Sequence, residues 1–292
     1  MKVTDGLVLV ADFENTPQVP ANFRTSQDAY PPEAAASVIR RGLDRLNASA
    51  ARQFSELDLI SSLDRMSGQV YIVDLRQESH AFADGRPVCW YGLRNQANVA
   101  RTAREIMELE EELASQLVGG VELNDIVQKT SGRIEQTHSY RVEVQRGETE
   151  QQRVERRGLN YVRLPVTDHQ HPHADTVDQF VDFVSSLPED AWVHFHCRSG
   201  KGRSSTFMVL YDIFRNARDV SLEDIIQRNF LLGSKDVSRI SDLPAKVWKN
   251  DMARDRHHFV ADFYSYMVDP GGYGHLRWSE WAAQRDQARA GG

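Results

Sequence analysis

Apolar residues recurring every three or four positions mark three helices along this chain. Residues 104–117 set Ile106, Leu109, Leu113 and Leu117 on one face, with acidic residues opposite. Residues 177–187 repeat the pattern through Val177, Phe180, Val181, Val184 and Leu187, and residues 204–214 through Phe207, Leu210, Tyr211 and Phe214. Short apolar segments at 70–75, 160–166 and 191–196 read instead as strands of a buried sheet. From 119 to 150 the pattern shifts to strict alternation, as in Tyr140-Arg-Val-Glu-Val144, which predicts a small β-rich insertion over about 119–155. Strands interleaved with helices predict an α/β fold with a central sheet flanked by helices, in one unit spanning 1–292.

Composition changes this picture little. Hydrophobic residues make up 40% and charged residues 26% of 292, so the chain can bury a sizeable core. A net charge of −7 argues against broad attraction to nucleic acid or to an anionic membrane. The apolar runs are too short to span a bilayer, and no amphipathic or polybasic anchor predicts stable membrane association. The first residues lack the apolar core of a signal peptide. Secretion or a periplasmic site after signal removal, a cytoplasmic site and export as an effector all stay open, as does the oligomeric state. With only Cys89 and Cys197, a disulfide framework is not expected.

Chemistry concentrates in residues 196–204, His-Cys-Arg-Ser-Gly-Lys-Gly-Arg-Ser, set between a predicted strand and a predicted helix. Backbone amides converge on an anion in that context. Gly200 and Gly202 let the backbone curl inward with no side chain in the way. Arg203 supplies a planar fork for two phosphate oxygens, which a lysine cannot match. The same positive field should favour the thiolate of Cys197, the predicted nucleophile. Ser204 stands where it can hydrogen-bond the sulfur. Arg198 and Lys201 add charge within the loop, which with Ser199 predicts binding of a small-molecule substrate carrying more than one phosphate.

Cleaving an alkyl phosphate also requires an acid to protonate the departing oxygen. Asp168 qualifies: it follows the predicted strand 161–166 and lies too far from the next helix, near Asp175, to cap it. His169, His171 and His173 alternate, but Pro172 interrupts them and no carboxylate or cysteine stands at metal spacing. No metal and no cofactor are expected. Asp74, Arg76 and Glu78 read as a paired network at a strand end, and Trp90 and Tyr91 as core aromatics.

The His-Cys-x2-Gly-x2-Arg-Ser loop with an upstream Asp resembles cysteine-dependent protein-tyrosine-phosphatase-like enzymes. Further segments resemble the PTP-like phytases in particular. They are Pro-Ala-Asn-Phe-Arg-Thr-Ser (20–26), Val-Asp-Leu-Arg-Gln-Glu-Ser-His (73–80), Trp-Tyr-Gly-Leu-Arg-Asn-Gln-Ala-Asn (90–98), Thr-Asp-His (167–169), Leu-Pro-Glu-Asp-Ala-Trp-Val-His-Phe-His-Cys (187–197) and Trp-Ser-Glu-Trp (278–281). The resemblance implies a protein-tyrosine-phosphatase-like fold, one cysteine-phosphatase catalytic unit, and inositol polyphosphates as substrates. It implies Cys197 as nucleophile, Arg203 as phosphate clamp and Asp168 as general acid, with His169 on a substrate phosphate and Arg24 at the pocket rim. It also implies that Lys246, Lys249 and Arg256 line the pocket, with Asp251 and Ala253 replacing a basic and an aromatic residue. A phosphoinositide or protein-tyrosine phosphatase is the second reading, since Arg198 and Lys201 match the basic positions of phosphoinositide 3-phosphatase loops. A non-catalytic phosphate-binding module predicts loss of the cysteine or the acid, and both are here.

Overall fold

The computed structural model describes residues 6–33, 38–239 and 247–290; Lys246 lies outside the described residues. In chain order the strands are β1 (Val8–Ala11), β2 (Arg24–Thr25), β3 (Ala48–Arg52), β4 (Gln69–Arg76), β5 (His80–Ala83), β6 (Arg86–Tyr91), β7 (Gly119–Thr130), β8 (Arg133–Val144), β9 (Gly147–Glu148), β10 (Asn160–Val166) and β11 (Ala191–Cys197). The α-helices are α1 (Glu56–Leu63), α2 (Ala103–Ser115), α3 (Glu150–Glu155), α4 (Ala174–Ser185), α5 (Gly202–Asn216), α6 (Leu222–Leu231), α7 (Val247–Val268) and α8 (Trp278–Ala290). Among the described residues no helix is long and apolar enough to cross a membrane.

The strands form two sheets. The first has the order β10-β4-β11-β3-β2, with β10, β4, β11 and β3 parallel and β2 antiparallel to β3. Side chains alternate across it. Val73 and Phe195 enter the main core with Phe180, Phe207, Phe263 and Trp278 from α4, α5, α7 and α8. Ile72 and Trp192 point the other way, into a smaller core with Phe54, Phe82 and Val154. Burial on both faces is why these strands read as continuous apolar runs. Each fully buried aromatic contributes about 1.5–3 kcal/mol to folding, so this double packing fixes the strand register beneath the loop.

One central strand escapes the apolar pattern. β3 reads Ala-Ser-Ala-Ala-Arg, residues of low strand propensity, yet it is wholly buried between β11 and β2. Its small side chains leave room for the loop after β11. A Cβ on Gly200 would lie 2.3 Å from the backbone of Ala51 and Arg52, and Gly200 has φ +70°, so glycine is required twice over.

The second sheet has the order β8-β7-β1-β6-β5-β9. The alternating segment forms its long β7–β8 hairpin, but the sheet also recruits 8–11 and 80–91, well outside 119–155. The hairpin turns on Ser131 and Gly132 with φ of 49° and 86°, the two-residue geometry that suits the twist of paired strands. Its tip is pinned: Gly132 O accepts from Arg94 N at 2.9 Å and from the Tyr91 hydroxyl at 3.1 Å.

The parallel strands β4, β10 and β11 end side by side. Their carboxyl ends therefore gather Glu78, Asp168 and the 197–204 loop at one edge, where open α/β sheets bind ligands.

Candidate active site

β11 ends on Cys197, and α5 begins at Gly202, so the intervening loop feeds into a helix N-terminus. Cys197 is buried, 2% exposed, and Ser204 Oγ donates to its sulfur at 3.2 Å. The loop is held from below. Arg24 gives Nη1 to Gly200 O at 3.0 Å and Nη2 to Ser205 Oγ at 3.0 Å, and Nε to Ser234 Oγ at 2.8 Å. Arg24 was expected at the rim, but it is buried beneath the loop because these bonds draw its whole guanidinium inward. Burial lowers its pKa to about 10, with a Cys197 thiolate pulling the other way.

Arg203, on the first turn of α5, is buried against Glu78 in a bidentate pair of 2.7 and 2.9 Å. Its Nη1 also donates to Val166 O at 3.0 Å, and its Nη2 lies 3.3 Å from Asp168 Oδ1. Burial works against its charge, but Glu78, Asp168 and Cys197 more than offset that and hold its pKa above the ordinary value. Among the described residues its Nε is buried with no hydrogen-bond partner.

Asp168 follows β10 and is half-buried, its Oδ1 accepting from His169 N at 3.0 Å. His169 adopts φ +71°, unusual outside glycine, and Arg256 Nη2 of α7 donates to its carbonyl at 2.5 Å. Burial lowers the His169 pKa to about 4 against the pull of Asp168, and the nearby Lys249, Arg203 and Arg256 push it down further. The ring is therefore neutral at physiological pH. Arg256 itself is buried beside Gly202, within reach of both Asp168 and Cys197 charges.

Behind the loop runs a ladder of alternating charges. Glu78 accepts from Arg203 and from Arg76 Nε at 3.0 Å; Arg76 Nη1 reaches Asp12 Oδ2 at 2.8 Å; Asp12 Oδ1 accepts from Arg198 Nε at 2.7 Å. The expected Asp74–Arg76–Glu78 grouping is thus paired, but Glu78 also grips the loop arginine. Deeper still, Asp74, Glu150 and His196 come within 4.8 Å of one another, an arrangement that could hold a cation. Asp74 is already committed, since Oδ2 accepts from Tyr161 and Arg163 and Oδ1 from Arg76 N, while His196 Nε2 and Glu150 Oε1 face each other at 2.6 Å. Glu150 Oε2 likewise takes Gln53 at 2.7 Å and His80 at 3.1 Å. The cluster is thus tied to Arg163, His80 and Gln53 through Asp74 and Glu150.

Above the loop opens a cleft of about 420 Å³, walled by Asp168, His169, Arg198, Ser199 and Lys249 on one side. Tyr91 of β6, Arg94 of the turn after it, and Lys129, Ser131 and Gly132 of the hairpin form the other side. Four cations and one carboxylate face this space, inverting the overall negative balance. Tyr91 is buried in a small core with Val10 and Cys89, as expected, and its ring also meets Arg198 at 5.6 Å and Lys129 Nζ at 5.0 Å at the edge of the cleft. Lys201 is exposed at the start of α5 and is not part of this lining. Arg198, read as surplus charge, is matched by buried Asp12. Sequence reasoning missed Asp12 and Lys129 and assigned no site role to Arg94 or Glu78. The quoted segments 73–80 and 90–98 did contain Glu78 and Arg94.

Comparison with known proteins agrees with this geometry. The PTP-like phytase family model, described as inositol hexakisphosphate, matches residues 73–215. The PTP-like myo-inositol phosphatase of Mitsuokella multacida, solved with myo-inositol-(1,3,4,5)-tetrakisphosphate, is 33% identical over 95% of this chain with a TM-score of 0.86. This chain covers 49% of that one. It is 28% identical over 256 residues to the effector protein hopD2 of Pseudomonas syringae pv. tomato, of which it covers 53%. The chain thus spans about half the length of these two relatives. A PTP-like phytase from Bdellovibrio bacteriovorus is 35% identical with 95% of both chains covered and a TM-score of 0.73. With a loop, a sheet order and a whole-chain match of this kind, the chain belongs to the PTP-like phytase family.

Proposed function

We propose that this protein is a cysteine-dependent phosphatase that hydrolyses phosphate monoesters of myo-inositol polyphosphates. The observation that carries the reading is Arg203 within the electrostatic reach of Cys197, its Nε buried without a hydrogen-bond partner among the described residues while Glu78 holds its opposite edge. A guanidinium fixed on one side and unsatisfied on the other is ready for a phosphate oxygen. Arg24, Arg203 and Arg256 all lie where a negative charge at Cys197 favours their own charge.

In the first step the Cys197 thiolate attacks phosphorus, the ester P–O bond breaks, and the Asp168 carboxyl gives its proton to the leaving oxygen. The loop amides and Arg203 carry the charge that spreads over the phosphoryl oxygens. In the second step water attacks the phosphocysteine, Asp168 takes a proton from it, and the sulfur leaves as a thiolate that Ser204 hydrogen-bonds. Arg198, Lys249, Lys129 and Arg94 meet the remaining phosphates, with Ser199 and His169 between them. The family relative bound to inositol tetrakisphosphate supports a polyanionic ring as the ligand of such a cleft.

The test is phosphate release from inositol hexakisphosphate, a phosphotyrosine peptide and a phosphoinositide head group under one set of conditions. The hexakisphosphate should be turned over with the highest kcat/KM. Preference for the peptide would overturn the assignment. Chelator should leave the rate unchanged.

A further inference from the structure

The charge ladder behind the loop has a directional consequence. Both of its ends are loop residues, Arg203 and Arg198, and the link to Arg198 is Asp12, just past β1 of the other sheet. The Asp12 side chain has no exposure to solvent. One of its oxygens is taken by Arg76, and the other by Arg198 Nε at 2.7 Å and the Cys89 thiol at 3.1 Å. Burial disfavours its charge, but Arg198 and Arg76 hold its pKa well below the usual carboxylate range. Arg198 is thereby held by its inner edge, at Nε, and flanked on its flat face by the Tyr91 ring at 5.6 Å. Its side chain stays 21% exposed in the cleft wall, and among the described residues its two Nη groups make no side-chain hydrogen bond.

We infer that Asp12 is a positioning residue for substrate selection: it turns the outer edge of Arg198 into the cleft as a fixed fork for a second phosphate, beside the one bound at Cys197. The inference rests on the polyphosphate reading above. A lone Arg198 would sample many rotamers and lose entropy on binding; an arginine pinned at Nε has already lost it. Because Arg198 contacts a phosphate that does not react, Asp12 acts on binding and leaves the chemical step alone.

The experiment measures kcat and KM for inositol hexakisphosphate and for an aryl monophosphate in Asp12→Asn, Arg198→Ala, Arg198→Lys and the Asp12→Asn/Arg198→Ala double variant. Asp12→Asn should raise KM for the hexakisphosphate by about tenfold, the scale of a lost charge-assisted hydrogen bond, with kcat within about twofold. The monophosphate parameters should not change. Arg198→Lys keeps the charge but loses the Nε–H, and it should match Asp12→Asn. In the Arg198→Ala background, adding Asp12→Asn should change nothing further. Equal losses on both substrates, or the same Asp12→Asn effect with and without Arg198, make Asp12 a structural residue only and overturn the inference. Arg198→Lys lies half-exposed in the wall, so a wild-type KM in that variant overturns it even if Asp12→Asn does not fold. If the unmodified protein shows no preference for the hexakisphosphate, the polyphosphate reading falls and takes this one with it. A preference that survives every variant sinks this one alone.

Discussion

Arg203, in the floor beneath the cleft beside Asp168, and Lys129 on the cleft's far wall are both cations, but they are held by different physics. Arg203 is buried, doubly bonded to Glu78, which Arg76 supports from behind. Lys129, near the end of a hairpin, is exposed as a residue, but its Nζ packs over the Tyr91 ring, where partial desolvation and then Arg198 lower its pKa. The floor is a set of charges already balanced by partners behind them, so little reorganises when a phosphoryl group arrives. On the far wall Lys129 carries its charge on a long side chain of an exposed residue. The difference assigns chemistry to the floor and selection to the rim.

The largest expected effect that sharpens this division lies at Asp168. Asp168→Asn should lower kcat for an alkyl phosphate by about 10²–10⁴-fold, the range for removing a general acid. For an activated aryl phosphate, whose leaving group needs little protonation, the loss should stay within about tenfold. Equal losses on both substrates would remove Asp168 from the acid role.

Next comes Glu78, which touches no substrate yet belongs to the floor. Glu78→Gln leaves Arg203 with a buried charge less well paired, which costs about 3–5 kcal/mol of stability when one partner of a buried pair is removed. The kcat should fall on the order of 10²-fold while KM moves little. Burial opposes ionisation of Glu78, but Arg203 and Arg76 prevail and bring its pKa from 4.5 to about 2. Its folded-state value is depressed, so its contribution is present above about pH 4.5 and lost as pH falls toward 2. Acid-unfolding curves should therefore flatten over that window in Glu78→Gln. An unchanged acid limb would break the comparison, because the floor would not depend on this pair.

How much of this was legible in the chain follows the same division. The 197–204 loop, Asp168 and the strands β4, β10 and β11 could be read because their signals are contiguous: apolar runs, glycines and a fixed cysteine–arginine spacing. β3 could not, since alanines carry no strand signal and its burial comes from neighbours distant in sequence. Asp12 lies 186 residues before Arg198, and only the pairing of β1 with β6 and β7 brings it behind the loop. Arg24 resembled a rim residue because its segment matched, while its burial depends on Ser205 and Ser234. Lys129 had no local mark at all; alternation in β7 announced a strand, and only the turn at Ser131-Gly132 carries it to the cleft.

The smallest expected effect is at the rim. Lys129→Ala should raise KM for inositol hexakisphosphate about 2–5-fold, as befits an exposed charge, and leave the aryl monophosphate untouched. A drop in kcat on both substrates would place Lys129 with the floor.

The central claim is that the phosphoryl group passes through the sulfur of Cys197, and a rapid denaturing quench during turnover of an aryl phosphate tests it most directly. The account predicts a phosphate found by peptide mass analysis on Cys197, absent in Cys197→Ser, which should have no turnover above background. Steady turnover with no adduct on that sulfur, or a Cys197→Ser variant that still releases phosphate, would contradict it.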